Sequence, residues 1–259
     1  MGTAVVTGGT SGIGAAFARA LARRGWDLVL VARDEARLAD MAAELRALGR
    51  EVELLPADLS VRADVDRVVA RIEDVAHPIG MLVNNAGFSV HTALASRDTA
   101  AHDRALEVMI RAVLVLGGAA ARTMRDRGEG SILNVSSTAG FITMGAYSAI
   151  KAWVTSYTEG LANELHGTGV RVTALCPGWV HTEFHARAGI PESSIPNALW
   201  LDAEPLVETA LRDNERGKVI SIPSVRYGVL IWFARHAPRP AIRAISRRFS
   251  SRRRDSLNG

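Results

Sequence analysis

The chain has 259 residues, 48% of them apolar, and a formal net charge of +4. That length suits one large α/β domain with a sizeable core. No apolar run reaches the ~18 residues of a membrane span, and the single cysteine, Cys176, excludes an intrachain disulfide. The charge is unevenly placed: residues 235–254 carry eight arginines and no acid, and without that segment 23 basic residues face 27 acidic ones. The body is therefore mildly acidic, and the basic balance is not a statement about its ligand. The basic run accompanies no nucleic-acid-binding motif, so a small-molecule partner is expected and nucleic acid is not. The first strand-like run begins almost at once, with no secretory leader before it, and a reducing cytoplasm is the expected location.

Strand-like runs fall at 3–7, 28–32, 51–55, 81–84, 131–135, 170–175 and 218–222. Helical patterns lie between them near 13–24, 34–48, 61–75, 98–126, 147–166 and 203–214. The alternation predicts βαβ units and a parallel sheet with helices on both faces, an α/β domain over residues 1–222. The first strand runs into Thr-Gly-Gly-Thr-Ser-Gly-Ile-Gly over residues 7–14. Gly8, Gly12 and Gly14 allow a tight turn and a close approach of backbone to a pyrophosphate, which the N–H groups of the following helix would receive. The second strand ends in Arg33, where a cation suits a 2′-phosphate; Asp34 follows at the start of a helix. This predicts NADP(H) over NAD(H). Asp58 and Leu59 follow the third strand, and Asn84, Asn85, Ala86 and Gly87 the fourth, at strand ends where such sheets bind ligands.

Ser136 and Ser137 follow the fifth strand, and Tyr147 and Lys151 open the next helix. Lys151 is one of only two lysines in the chain. Residues i and i+4 share a helix face, and an ammonium beside a phenol lowers the phenol's pKa, which makes it useful in proton transfer. Pro177, Gly178, Val180 and Thr182 follow the sixth strand.

In this order and spacing the motifs resemble those of the short-chain dehydrogenase/reductase family, over residues 3 to about 222. The resemblance implies a Rossmann-type, doubly wound parallel seven-stranded sheet in the order 3-2-1-4-5-6-7 and an oxidoreductase interconverting a hydroxyl and a carbonyl. It implies Tyr147 as the general acid/base, Lys151 as the residue that lowers its pKa and bonds the nicotinamide ribose, and Ser137 as the group that orients the carbonyl. Ser136 is the alternative to Ser137. The cofactor would be lined by Gly8, Ser11, Gly12, Ile13, Gly14, Arg33, Asp58, Leu59, Asn85, Ala86, Gly87, Tyr147, Lys151, Pro177, Gly178, Val180 and Thr182. A homodimer or homotetramer through the helices at 98–126 and 147–166 is also implied. Two other readings share the scaffold: isomerase or dehydratase chemistry, and a non-catalytic NADP-binding regulator.

The chain departs from the family pattern twice. Ser137 and Tyr147 stand ten residues apart, where twelve or thirteen are usual. Met109 stands where the family has an asparagine that holds a water linking the lysine to solvent, and a thioether is a weak acceptor. The irregular stretch at 183–205, with Phe184, Ile190, Ile195, Leu199, Trp200 and Leu201, is expected to form an apolar substrate lid. His181, Glu183 and His185 do not match a metal-site pattern, and none is expected. Residues 223–259 form an extension, apolar at first and then rich in arginine, that fits peripheral membrane contact through 225–254 or a packing arm.

Overall fold

The structure is a computed structural model that describes residues 2–182, 196–238, 240 and 242–244. Its strands are β1 (Thr3–Thr7), β2 (Asp27–Ala32), β3 (Val52–Pro56), β4 (Ile79–Asn84), β5 (Gly130–Val135), β6 (Val170–Leu175), β7 (Trp179–Val180), β8 (Trp200–Leu201) and β9 (Ile220–Ser221). The helices are α1 (Gly12–Arg23), α2 (Glu35–Ala47), α3 (Arg62–Ile72), α4 (Ala100–Leu106), α5 (Ala112–Arg127), α6 (Gly145–Glu164), α7 (Ala203–Glu215) and α8 (Val225–His236).

Seven strands pair in the order β3-β2-β1-β4-β5-β6-β9, and every pairing among them is parallel. Side chains alternate across a strand, and here the alternation divides one sheet between two cores. Ala4, Val6, Leu28 and Leu30 join α1, α2 and α7 on one face. Val5, Val29 and Val31 join α3, α5 and α6 on the other. Because both faces are covered, the central strands read as continuous apolar runs. The seventh strand is shorter than the run at 218–222 suggests: only Ile220 and Ser221 pair, against Ala174 and Leu175.

Three features were not foreseen. The helix expected over 98–126 is interrupted by a π-helical turn at Glu107–Arg111 with Met109 buried inside it. A separate two-stranded sheet joins β7 to β8, and α8 follows β9. The loop between Ser137 and Tyr147 is compressed into a 3-10 turn, Thr138–Phe141. That turn lies so close to α6 that a Cβ on Gly140 would stand 2.9 Å from Ala152 N, which is how ten residues suffice.

Candidate active site

Parallel strands release their chain at one edge, and the predicted residues gather there. The glycine turn leaves β1 with Gly8 at φ +65° and Gly12 at φ +53°, conformations that disfavour any side chain. Gly14 is needed for a different reason: a Cβ on it would collide with the Gly8 carbonyl and the Asn85 amide. Ser11 caps α1 without a side-chain bond, so the helix N-terminus keeps its outward N–H groups. Thr182 faces this turn, its Cβ 3.2 Å from where a Gly12 Cβ would lie. Gly12 and Thr182 also line a cleft of about 510 Å³ with Arg19 and the start of α7. Glycines shaped for close approach, beside an uncapped helix terminus, fit a dinucleotide pyrophosphate.

The residue that shapes this turn is Thr7, which sequence reasoning passed over. Its hydroxyl accepts from the backbone N–H of Asn85 at 2.9 Å and of Ala86 at 3.0 Å. The Asn85 side chain donates to Thr7 O at 2.9 Å and to Gly8 O at 3.2 Å. Asn85 therefore positions the glycine turn, and its amide is committed there. A buried amide chain lies behind it: Asn84 donates to Asn134 at 2.9 Å, and Asn134 to Thr158 at 3.0 Å. The side chains of Leu59 and Val180, also expected at the cofactor, point inward. Both side chains are buried in the hydrophobic core, Leu59 against α3 and Val180 on the α1 face, so only their backbone can face a ligand.

At the end of β2, Asp34 turns back to cap α2, accepting from Arg37 N at 3.1 Å. Arg33 is left extended, its side chain 66% exposed and its guanidinium 3.9 Å from Asp58. Asp58 is a hub. It accepts from the Ser60 N–H and hydroxyl and from Arg104 at 2.8 Å. Desolvation pulls its carboxyl upward, but the Ser60 bonds and the Arg104 and Arg33 charges outweigh it and hold the pKa below the usual range.

Ser136 and Ser137 have separate environments. Ser136 is buried, donating to Lys151 O at 2.8 Å and sharing a bond with Thr155 at 2.7 Å, so it cannot reach a substrate. Ser137 is only partly buried, accepting from Ala139 N at 3.1 Å, with its hydroxyl in hydrogen-bonding reach of the Tyr147 phenol. Lys151 is only 5% exposed; its ammonium donates to Val135 O at 2.8 Å and lies 5.6 Å from the centre of the Tyr147 ring. Burial depresses the lysine pKa to about 8, with the neighbouring Cys176 opposing the shift. Burial raises the Tyr147 phenol to about 12, with Ser137 opposing. In this state the ammonium is turned to a carbonyl, and desolvation dominates the shift of the phenol. Cys176 is buried and unpaired with another cysteine, and desolvation raises its thiol to about 11, as an inert core residue requires. Glu183, His185, Phe184, Ile190 and Ile195 lie outside the described residues.

Residues 2–192 match the family model described as short chain dehydrogenase. The chain belongs to the short-chain dehydrogenases. It is 39% identical over 183 residues to an uncharacterized oxidoreductase of Staphylococcus saprophyticus, covering 69% of this chain and 78% of that one. It is 41% identical over 194 residues to a putative ketoacyl reductase of the monensin polyketide synthase from Streptomyces virginiae, covering 71% and 72%. A short-chain dehydrogenase from Sphingobium yanoikuyae, solved in complex with NADPH, superposes with a TM-score of 0.83 at 37% identity, covering 89% of this chain and 92% of that one. A ketone-specific alcohol dehydrogenase from Comamonas testosteroni superposes at 0.78 with 32% identity, covering 89% and 90%. This short-chain dehydrogenase therefore has the Rossmann-type fold and the oxidoreductase class of its family.

Proposed function

We propose that this short-chain dehydrogenase interconverts a carbonyl and a hydroxyl on a small, largely apolar molecule, with NADP(H) as the redox partner and residues 1–222 as the catalytic domain. The observation that supports it most is the convergence of Ser137, Tyr147 and Lys151 at the edge that carries the glycine turn. The nicotinamide supplies or accepts the hydride when bound. The glycine turn and the start of α1 would hold its pyrophosphate, Asp58 and the Ala86 and Gly87 backbone its adenosine side, and Arg33 its 2′-phosphate.

In reduction, Ser137 donates a hydrogen bond to the carbonyl oxygen and fixes its orientation. Tyr147 gives that oxygen a proton, and a phenol near 12 is fully protonated at neutral pH. The Lys151 ammonium, retained below about pH 8, then offsets the phenolate left behind. The reverse reaction needs the phenolate and gains rate as pH rises. Met109 cannot relay a proton, and the π-turn around it supports a relay by waters that backbone carbonyls would hold instead. Exposed Leu106 and Leu114, and the Trp153–Tyr157 ring stack at 5.0 Å on α6, support a homodimer or homotetramer through these helices.

The test is loss of NADPH absorbance over a panel of aldehydes, ketones and ketoacyl thioesters. Tyr147→Phe should lower turnover by about 10²–10⁴-fold and leave NADPH affinity unchanged. Arg33→Ala should narrow the preference for NADPH over NADH by about tenfold. NADPH binding without turnover, indifferent to Tyr147→Phe, would overturn the reading in favour of a non-catalytic regulator.

A further inference from the structure

Helix α8 is apolar on two opposite faces. Tyr227 and Ile231 turn inward and are buried, whereas Val225, Val229, Trp232 and Phe233 are each more than half exposed. These four recur at i, i+4, i+7 and i+8, so they form one continuous outer stripe. Trp232 and Phe233 meet edge to face at 5.1 Å, widening it. A helix apolar all round is normally enclosed, and an apolar stripe left in water marks an interaction surface.

Charge complementarity selects the occupant. The helix ends in Arg235 and His236, and eight arginines with no acid fill residues 235–254. A second copy seated on this stripe would set one basic helix, with Arg226, Arg235 and His236 and no acid, against another, which is repulsive. An anionic bilayer accepts both features, apolar side chains below the headgroups and arginines among them. Tryptophan suits that boundary, with an apolar ring and a polar N–H. No described helix is long and apolar enough to cross a membrane, so the contact is one of lying on the surface.

The position of α8 ties this contact to the site. Its Tyr227 hydroxyl accepts from Trp179 N at 3.1 Å and donates to Leu199 O at 2.8 Å. One phenol thus holds β7 and the turn leading into β8, the two ends of the segment that spans 181–198. The Tyr227 ring also lies where a Cβ on Gly178 would be. At the far end of α8, Arg235 stands 5.7 Å over the Phe141 ring, and Phe141 closes the turn that begins at Ser137. The helix that carries the outer stripe is therefore held against β7 and against the turn that begins at Ser137.

We propose that the outer stripe of α8 docks this protein on anionic lipid bilayers, and that the active site takes a lipophilic carbonyl or alcohol dissolved there. The docking stands by itself; the substrate class rests on the oxidoreductase reading above.

The full chain would be sedimented with phosphatidylcholine vesicles, with and without about one-third phosphatidylglycerol, beside the double variant Trp232→Asp/Phe233→Asp. Expected is co-sedimentation with the anionic vesicles, weakened at least about tenfold by the double variant and reduced by high salt. NADPH binding, read by cofactor fluorescence, should be equal in both proteins and shows the variant folded. Turnover of a long-chain ketone carried in vesicles should fall in the variant, while that of a short soluble ketone should not. Absence of anionic-vesicle binding, or equal binding by the variant, would overturn the proposal. So would a double variant that loses its oligomeric state without lipid, which would assign the stripe to a second copy. Vesicle binding by a chain that fails to bind NADPH would support docking and sink the oxidoreductase reading alone.

Discussion

The glycine-turn half of the molecule and the rim beyond β6 are built in opposite ways. Around β1 to β4 the polar side chains at the sheet edge answer one another: Asp34 caps α2, Asp58 gathers Ser60 and Arg104, and Asn85 and Thr7 brace the turn. The strands there are five or six residues long and paired along most of their length, with one irregularity where β4 meets Thr3 and Ala4. Beyond β6 the strands have two residues each, the second sheet is separate, and α8 holds the rim by one phenol and an arginine while showing an apolar stripe to water. The difference teaches that the glycine turn is held by many hydrogen bonds close to β1, while the rim beyond β6 rests on a few contacts.

Gly14→Ala should break the first region hardest, because the added methyl meets the Gly8 carbonyl and Asn85. NADPH affinity measured by titration should fall by on the order of a hundredfold, with substrate-rim properties such as vesicle binding unchanged. Lys151→Met should separate catalysis from stability. The lysine pKa is depressed from 10.5 to about 8, which corresponds to a cost of about 3 kcal/mol when the ammonium is buried. The sign follows from the unfolded chain binding the extra proton: the cost is full below about pH 8, shrinks as pH rises from 8 to 10.5, and is gone above. The variant should be inactive yet melt higher at pH 7, and thermal melts over pH should show the gap closing toward 10.5; a gap independent of pH would contradict this.

Tyr227→Phe addresses the rim. It leaves Trp179 N and Leu199 O without their shared partner, at a cost of about 1–2 kcal/mol in chemical denaturation. Its kinetic signature should be a raised KM for substrate with unaltered NADPH affinity, the opposite of Gly14→Ala. The smallest effect is expected from Met109→Asn: on the relay proposed at the π-turn, turnover should rise by no more than about threefold. A gain of a hundredfold or more would show that Met109 throttles proton delivery.

The sequence by itself determined the alternation of strands and helices, through period-2 and period-3.6 patterning, and the glycine turn between the first strand and helix. The sheet order and the grouping of Ser137, Tyr147 and Lys151 came only with the family resemblance that the motifs carry. The sequence could not separate the roles of Ser136 and Ser137, since adjacent residues on an extended backbone point to opposite sides; the packing of α6 buries one at Lys151 and Thr155 and exposes the other. Nor could it foresee that Asn85 braces the turn through Thr7, 78 residues away, or that Leu59 and Val180 face the core. The direction of the Tyr147 shift was likewise a tertiary matter, because spacing sets who is near but burial sets the dielectric. The two-residue strands, the π-turn and the contacts of Tyr227 carry no periodic signal at all. They exist only because distant elements meet.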